Sequence, residues 1–183
     1  ELANLGANIT LIARNESKLL NVLNDLDKSK GQTHSFIAID FRDSDKLKEE
    51  VKLLSANYHI LINNTGGPAA GPITDANTTS FEEAFRMHLI NNQILVQKVV
   101  TGMKKEKYGR IVNIISTSVK APILGLGVSN TIRAAVANWA KTLSSELGGY
   151  GITVNNILPG FTNTNRLKSL ITKKAEIQGK TED

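Results

Sequence analysis

Apolar residues along this chain fall into two kinds of run, and the two kinds take turns. Compact, largely β-branched runs have the length and character of buried strands: NITLIAR at 8–14, HSFIAID at 34–40, YHILINN at 58–64, GRIVNIIS at 109–116 and ITVNNILP at 152–159. Between them, apolar residues return at helical spacing. Leu19, Leu20, Leu23 and Leu26 mark a helix within 15–31 that ends near Gly31, and DSDKLKEEVKLLSAN at 43–57 predicts a second, opened by an Asp or Ser cap. A long helix is expected from Phe81 to about Met103, and another over 129–147, ended by Gly148, Gly149 and Gly151. TGGPAAGPITDANTT at 65–79 and GLGVSN at 125–130 read as loops, and Pro159 stops the last strand. Glu1 to Leu5 fit a final helical turn with Gly6 in the left-handed position after it, while the tail from Asn165 is polar and helical in character.

Strands and helices alternating at this spacing predict βαβ units, hence a doubly wound parallel sheet with helices on both faces, in a single domain over 1–183. In the common strand order of such sheets the first strand lies in the middle, and the turn after it holds a pyrophosphate on a helix N-terminus. No G-x-G-x-x-G occurs in these 183 residues, and the opening reads as the end of a helix. The expectation is therefore that the first strand, the Gly-rich loop and a C-terminal part stand outside this sequence. The strands at 8–14 and 58–64 should then border a gap, and the 183 residues made alone should not form a cofactor-competent domain.

Composition narrows the chemistry. There is no Cys, which excludes disulfides and thiolate sites, and His34, His59 and His88 lack ligand-like spacing, so no metal site is expected. No apolar run nears the roughly 18 residues of a membrane span, and no signal peptide is present, so the expectation is a soluble cytoplasmic protein with no membrane partner. The net charge of +5 is scattered in pairs such as Lys104 with Lys105 and Lys173 with Lys174, which fits a solvated basic surface and not a nucleic-acid patch.

In open parallel sheets ligands bind beyond the carboxyl ends of the strands, and Arg14, Asp40, Asn64, Ser116 and Pro159 all fall at or just past such ends. Three motifs there, in order, carry a resemblance over nearly the whole chain. LINNTGG at 61–67 looks like a strand-end Asn-Asn-Ala-Gly motif, GRIVNIIST at 109–117 looks like a strand ending in a catalytic Ser, and LPGFTNT at 158–164 looks like a Pro-Gly segment that closes over nicotinamide. Together they resemble the short-chain dehydrogenase/reductase family and, within it, the 3-oxoacyl-[acyl-carrier-protein] reductases.

That resemblance implies a cofactor site. Arg14 and Asn15 stand where the family reads the adenosine ribose; a guanidinium there pairs with a 2′-phosphate, which points to NADP before NAD. The competing reading is an exposed strand-end Arg followed by an Asn helix cap. Asp40 and Phe41 match the pair that meets adenine, and Asn64, Thr65 and Gly66 match the ribose contacts. Pro159 and Gly160, with Thr162 and Thr164, match the nicotinamide and phosphate contacts, although such hydroxyls often satisfy only local backbone.

The implied catalytic set departs from the family. Ser116 matches its Ser, but thirteen residues on, Ser129 stands in place of the Tyr; four beyond that, Arg133 replaces the Lys of Tyr-x-x-x-Lys, and His88 takes the place of the Asn on the long helix. Spacing keeps Ser129 and Arg133 on one helix face. Acid strength is lost, because an aliphatic hydroxyl is a far weaker acid than a phenol of pKa about 10, and Arg does not give up its proton. His88, of a residue type titrating near pH 6.5, is the candidate to supply the proton through Ser129 or water, or else is a buried imidazole bonded to backbone. The expected function is an NADP-dependent oxidoreductase acting on a small carbonyl or alcohol; the alternative is an NADP-binding protein without redox activity. The resemblance also implies a homo-oligomer, dimer or tetramer. Ala134, Ala135, Ala137 and Ala140 beside Trp139 would permit close helix pairing, or fill the monomer's own core.

Overall fold

Each apolar run forms the element its period predicts, with the ends trimmed by local hydrogen bonds. The structure, a computed structural model, describes residues 1–160, 162–164, 167, 171, 172, 175, 179 and 181. In chain order the elements are β1 (Thr10–Ala13), α1 (Glu16–Asp25), β2 (Ser35–Ala38), α2 (Ser44–Lys52) and β3 (Ile60–Asn63). There follow α3 (Thr78–Phe85), a π-helical turn (Arg86–Ile90), α4 (Asn91–Glu106), β4 (Gly109–Ile114), α5 (Gly127–Leu147) and β5 (Ile152–Ile157). The side chains of Asn15, Asp43 and Asn77 cap α1, α2 and α3, each accepting from the backbone N–H three residues on. The expected first turn is present, with Leu5 N donating to Glu1 O at 3.1 Å and Gly6 at φ +99°.

Four boundaries differ from the sequence expectation. α1 ends at Asp25 instead of near Gly31, because Leu26 turns extended and Asp27 Oδ1 accepts from Ser29 N at 2.9 Å, a local turn that competes with the helix. α2 stops at Lys52. The long helix starts at Thr78 and is not regular: the π turn at 86–90 inserts between α3 and α4. GLGVSN is only half loop, since α5 starts at Gly127; a β-carbon there would come within 2.4 Å of Ile73 Cβ, so only glycine permits that approach. The helical expectation for the tail from Asn165 falls largely outside the described residues.

All strand pairs are parallel. β1 pairs with β2, and β3-β4-β5 form a separate ladder. Among the described residues no ladder joins β1 to β3, as the expected gap requires; a 3.2 Å hydrogen bond between Thr10 Oγ1 and Tyr58 Oη spans it. The larger core packs Val96, Val99 and Met103 of α4 and Ala140 and Leu147 of α5 onto Ile111, Ile152 and Val154. A smaller core sets Leu47 and Val51 of α2 against Ile39 and Leu95, with Ile12, Ile37 and Leu61 beside them. Leu11 and Ala13, which alternate with Ile12, border a hollow with Lys18, Leu19 and Val22 of α1, so helices stand on both faces of the β1-β2 pair. On the three-stranded ladder, α4 and α5 cover one face, and Ile60, Ile62 and Ile157 of the other are 38%, 51% and 52% exposed.

The three-stranded ladder also carries a polar rung. Asn63, Asn113 and Asn156 stand in register, with Asn63 Nδ2 donating to Asn113 Oδ1 at 2.8 Å and Asn113 Nδ2 to Asn156 Oδ1 at 3.0 Å.

Candidate active site

A cleft of about 280 Å³ opens beyond the carboxyl ends of β3, β4 and β5. Into its wall come Thr65 and Gly66 after β3, Ser116 after β4, Ser129 and Arg133 from α5, and Pro159, Gly160, Thr162 and Thr164 after β5. Ile115, Ile123, Leu126 and Leu167 supply its apolar surface. At Gly66 and Gly160 a β-carbon would meet nothing within 4 Å, so packing of the chain does not itself demand glycine there. Bare backbone at those points suits the close approach of a flat ring.

Each side chain is held by its element. Ser116 is extended and caps the short 3₁₀ turn at 117–119, its Oγ accepting from Ser118 N at 3.1 Å. Ser129, 7% exposed, sits in the first turn of α5. Arg133 follows one turn later, donating from Nη1 to Ile114 O at 2.7 Å and from Nη2 to Thr65 O at 3.4 Å. The guanidinium therefore ties the ends of β3 and β4 together behind the cleft. His88 is 2% exposed and belongs to the π turn, and its Nδ1 is hydrogen-bonded to Thr65 Oγ1. The hydroxyl it meets belongs to a residue expected, from the resemblance, to offer its backbone to ribose.

The residues expected on the adenosine side stand apart from this cleft, all but Asn64 on the two-stranded half. Arg14 and Asn15 border the hollow beside α1, where the Asn15 side chain accepts from Lys18 N at 2.9 Å as the helix cap. Asp40 is gripped by Arg42, whose Nη2 lies 2.6 Å from Asp40 Oδ2 and whose backbone N donates to Asp40 Oδ1 at 3.0 Å. The Arg42 side chain, its backbone N–H and the nearby charges of Arg42 and Arg14 hold the Asp40 carboxyl down at about 2. Phe41 is positioned through its carbonyl, which accepts from Asn91 Nδ2, while Ser44 Oγ donates to Asn91 Oδ1 at 2.6 Å. Asn64 is exposed at the end of β3. Thr162 and Thr164 reach local backbone: Thr162 Oγ1 donates to Gly160 O at 3.5 Å and Thr164 Oγ1 accepts from Leu167 N at 3.4 Å. Phe161 of the same motif lies outside the described residues.

Sequence reasoning missed the Asn63–Asn113–Asn156 rung, Asn91, Arg42 and the side-chain role of Thr65. The rung had a signal, an Asn near the carboxyl end of each of three apolar strands; the other three are contacts that spacing does not reveal. Among the described residues no group of His, Asp or Glu is placed to hold a metal ion, and no helix is long and apolar enough to cross a membrane.

Comparison with known proteins agrees with this fold. The family described as short chain dehydrogenase matches residues 1–175. A granaticin polyketide synthase putative ketoacyl reductase 1 from Streptomyces violaceoruber is 29% identical over 168 residues, 89% of this chain and 61% of that protein. The human inactive hydroxysteroid dehydrogenase-like protein 1 is 30% identical over 169 residues, 90% of this chain and 51% of that protein. The crystal structure of L-sorbose reductase from Gluconobacter frateurii, complexed with NADPH and L-sorbose, superposes with a TM-score of 0.84 at 24% identity, covering 97% of this chain and 68% of that one. The chain spans about half to three-fifths of the length of these curated relatives. It belongs to the short chain dehydrogenase family.

Proposed function

We propose that this short chain dehydrogenase is a nicotinamide-dependent oxidoreductase, preferring NADP to NAD, that interconverts a small carbonyl and its alcohol in an atypical active site. The observation that carries this is the convergence of Ser116, Ser129, Arg133 and the bare backbone at Gly66 and Gly160 on one cleft at the carboxyl ends of the strands. The bound cofactor would exchange hydride with the substrate carbon. Ser116 holds the substrate oxygen, while Arg133 fixes the floor of the cleft and His88 stands behind it with the proton. Thr65, Gly66, Pro159, Gly160, Thr162 and Thr164 hold the nicotinamide end; Arg14, Asn15, Asp40, Phe41 and Asn64 hold the adenosine end, with the exposed Arg14 choosing the 2′-phosphate.

The test is titration of the full-length protein with NADPH and NADH, followed by turnover on a panel of ketones and alcohols. NADPH should bind more tightly than NADH, and Arg14→Ala should remove about a tenfold preference, the size of one charge-assisted phosphate contact. Equal affinity for the two cofactors would overturn the NADP preference. The second reading, a cofactor-binding protein without redox chemistry, is favoured by the absence of a phenol at Ser129 and by the inactive human relative; binding without turnover would select it. Self-association through α5 belongs to the same proposal. Trp139 Nε1 donates to Gln93 within the chain and Ala140 is in the monomer core, so Ala134, Ala135 and Ala137 are left to meet a second copy.

A further inference from the structure

Two of the departures from the family pattern touch each other. Thr65 stands where the Asn-Asn-Ala-Gly motif has alanine, His88 stands where the long helix has asparagine, and the structure joins Thr65 Oγ1 to His88 Nδ1 across 23 positions of sequence. Thr65 lines the cleft; His88 is 2% exposed behind it. The π turn brings the imidazole inward at this depth, an irregularity that recurs at functional sites.

We infer that Thr65 is the catalytic hydroxyl of this site and His88 the group that exchanges protons with it, the pair taking the place of the missing phenol. The inference rests on the oxidoreductase reading above. A hydroxyl of this kind neither gives nor takes a proton readily at neutral pH unless a partner refills it, and imidazole is the side chain whose ordinary titration falls in that range. In the alcohol-to-carbonyl direction the substrate O–H bond breaks and its proton passes to Thr65 Oγ1, while the Thr65 proton passes to the lone pair of His88 Nδ1, leaving imidazolium. In the reverse direction His88 Nδ1 returns a proton to Thr65 Oγ1 and Thr65 gives its own to the substrate oxygen. Hydride exchange at carbon is the bound cofactor's part, so no further oxidant or reductant is needed. Arg133 Nη2 donates to the backbone carbonyl of Thr65 and thereby positions its hydroxyl at the cleft wall.

The test uses full-length protein with NADPH and a substrate that the wild type turns over. Thr65→Val, which keeps shape and removes the hydroxyl, should lower kcat about 100-fold with little change in KM, whereas Thr65→Ser should restore kcat to within about threefold of wild type. His88→Asn should fall as far as Thr65→Val, and the double variant no further, because the two act as one unit. Nitrogen-15 NMR of the imidazole gives a readout independent of turnover: the Nδ1 resonance should move in Thr65→Val and stay in Thr65→Ser. Wild-type turnover that Thr65→Val leaves unchanged, or additive losses in the double variant, would overturn the pair alone. No wild-type turnover on any substrate would overturn the oxidoreductase reading and the pair with it.

Discussion

The β3-β4-β5 half of the molecule and the β1-β2 half carry the same kind of apolar strand, yet they differ in how they hold what lies at their carboxyl ends. The three-stranded half has a continuous parallel ladder, a rung of asparagines with two of its three members buried and a core shared by α4 and α5, and it gathers nine of the expected site residues into one cleft. The two-stranded half rests on a smaller core under α2, and two of its expected site residues are engaged locally: Asn15 caps a helix and Asp40 is bound by Arg42. Where neighbouring strands are hydrogen-bonded, residues distant in sequence are brought to one place. Where the ladder is broken, Asn15 and Asp40 find their partners within three positions, while Phe41 is tied at a distance through Asn91.

If the halves are separate units, the largest effects should show it. Ile111 in β4 and Leu47 in α2 are both fully buried, and truncating either to alanine should cost about 3 to 4 kcal/mol. Their reach should differ. Native-state hydrogen exchange of Ile111→Ala should accelerate β3, β4 and β5 together, whereas Leu47→Ala should accelerate β1 and β2 and leave the β4 amides unchanged. Equal acceleration of β4 in Leu47→Ala would make the two halves one cooperative unit, coupled through Leu61, which packs against both cores.

The asparagine rung offers a sharper comparison within the stronger half. Asn113 makes two of its bonds, and Asn113→Ala leaves Asn63 Nδ2 and Asn156 Oδ1 without those partners, an expected loss of about 2 to 3 kcal/mol by chemical denaturation. Asn63→Ala should cost about 1 kcal/mol less, because it breaks one bond and removes a buried Oδ1 that has no hydrogen-bond partner among the described residues. Equal losses would mean that the rung is not anchored at its centre.

The strands were legible because a run of β-branched residues needs no neighbour to be recognised, and all five lie within the expected segments. The helix ends were not, because each is decided by something periodicity does not contain: the Asp27–Ser29 turn for α1, and contact of Gly127 with Ile73 for α5. A single π turn in a long helix shifts the apolar stripe too little to be seen. Ser116, Ser129 and Arg133 were named from the family resemblance, and the structure brings all three to one cleft. The meeting of Thr65 and His88 was not legible, since it depends on how far the π turn rotates the imidazole. The Arg42 grip on Asp40 was within reach, two residues away, and was overlooked for the adenine contact.

Arg133 tests whether the cleft needs a forked cation or only a positive charge. Its two amino groups donate to carbonyls after β3 and at the end of β4, and lysine has one donor head to divide between them. Arg133→Lys should therefore lower stability by about 1 kcal/mol, read as a shift in the denaturation midpoint at unchanged slope. The effect should stay in the three-stranded half, leaving hydrogen exchange of β1 and β2 as it was. A stabilised Arg133→Lys would mean that the guanidinium is strained in that position.

The smallest effect should come from the corresponding polar grip in the other half. Asp40 is held near pKa 2 by the Arg42 hydrogen bonds, below the ordinary carboxylate value of 3.8, so the folded state favours the ionised form. The stability this contributes is present above about pH 4 and is lost as pH falls through about 2. Because the Asp40 and Arg42 side chains are 34% and 63% exposed, solvent screens most of it, and Asp40→Asn should cost no more than about 1 kcal/mol at pH 7. The difference between Asp40→Asn and wild type should hold constant down to about pH 4, shrink below it and vanish under pH 2. A loss at pH 7 as large as that of Asn113→Ala would overturn the contrast between the halves, because it would mean that a surface ion pair organises the two-stranded half as firmly as the asparagine rung organises the three-stranded one.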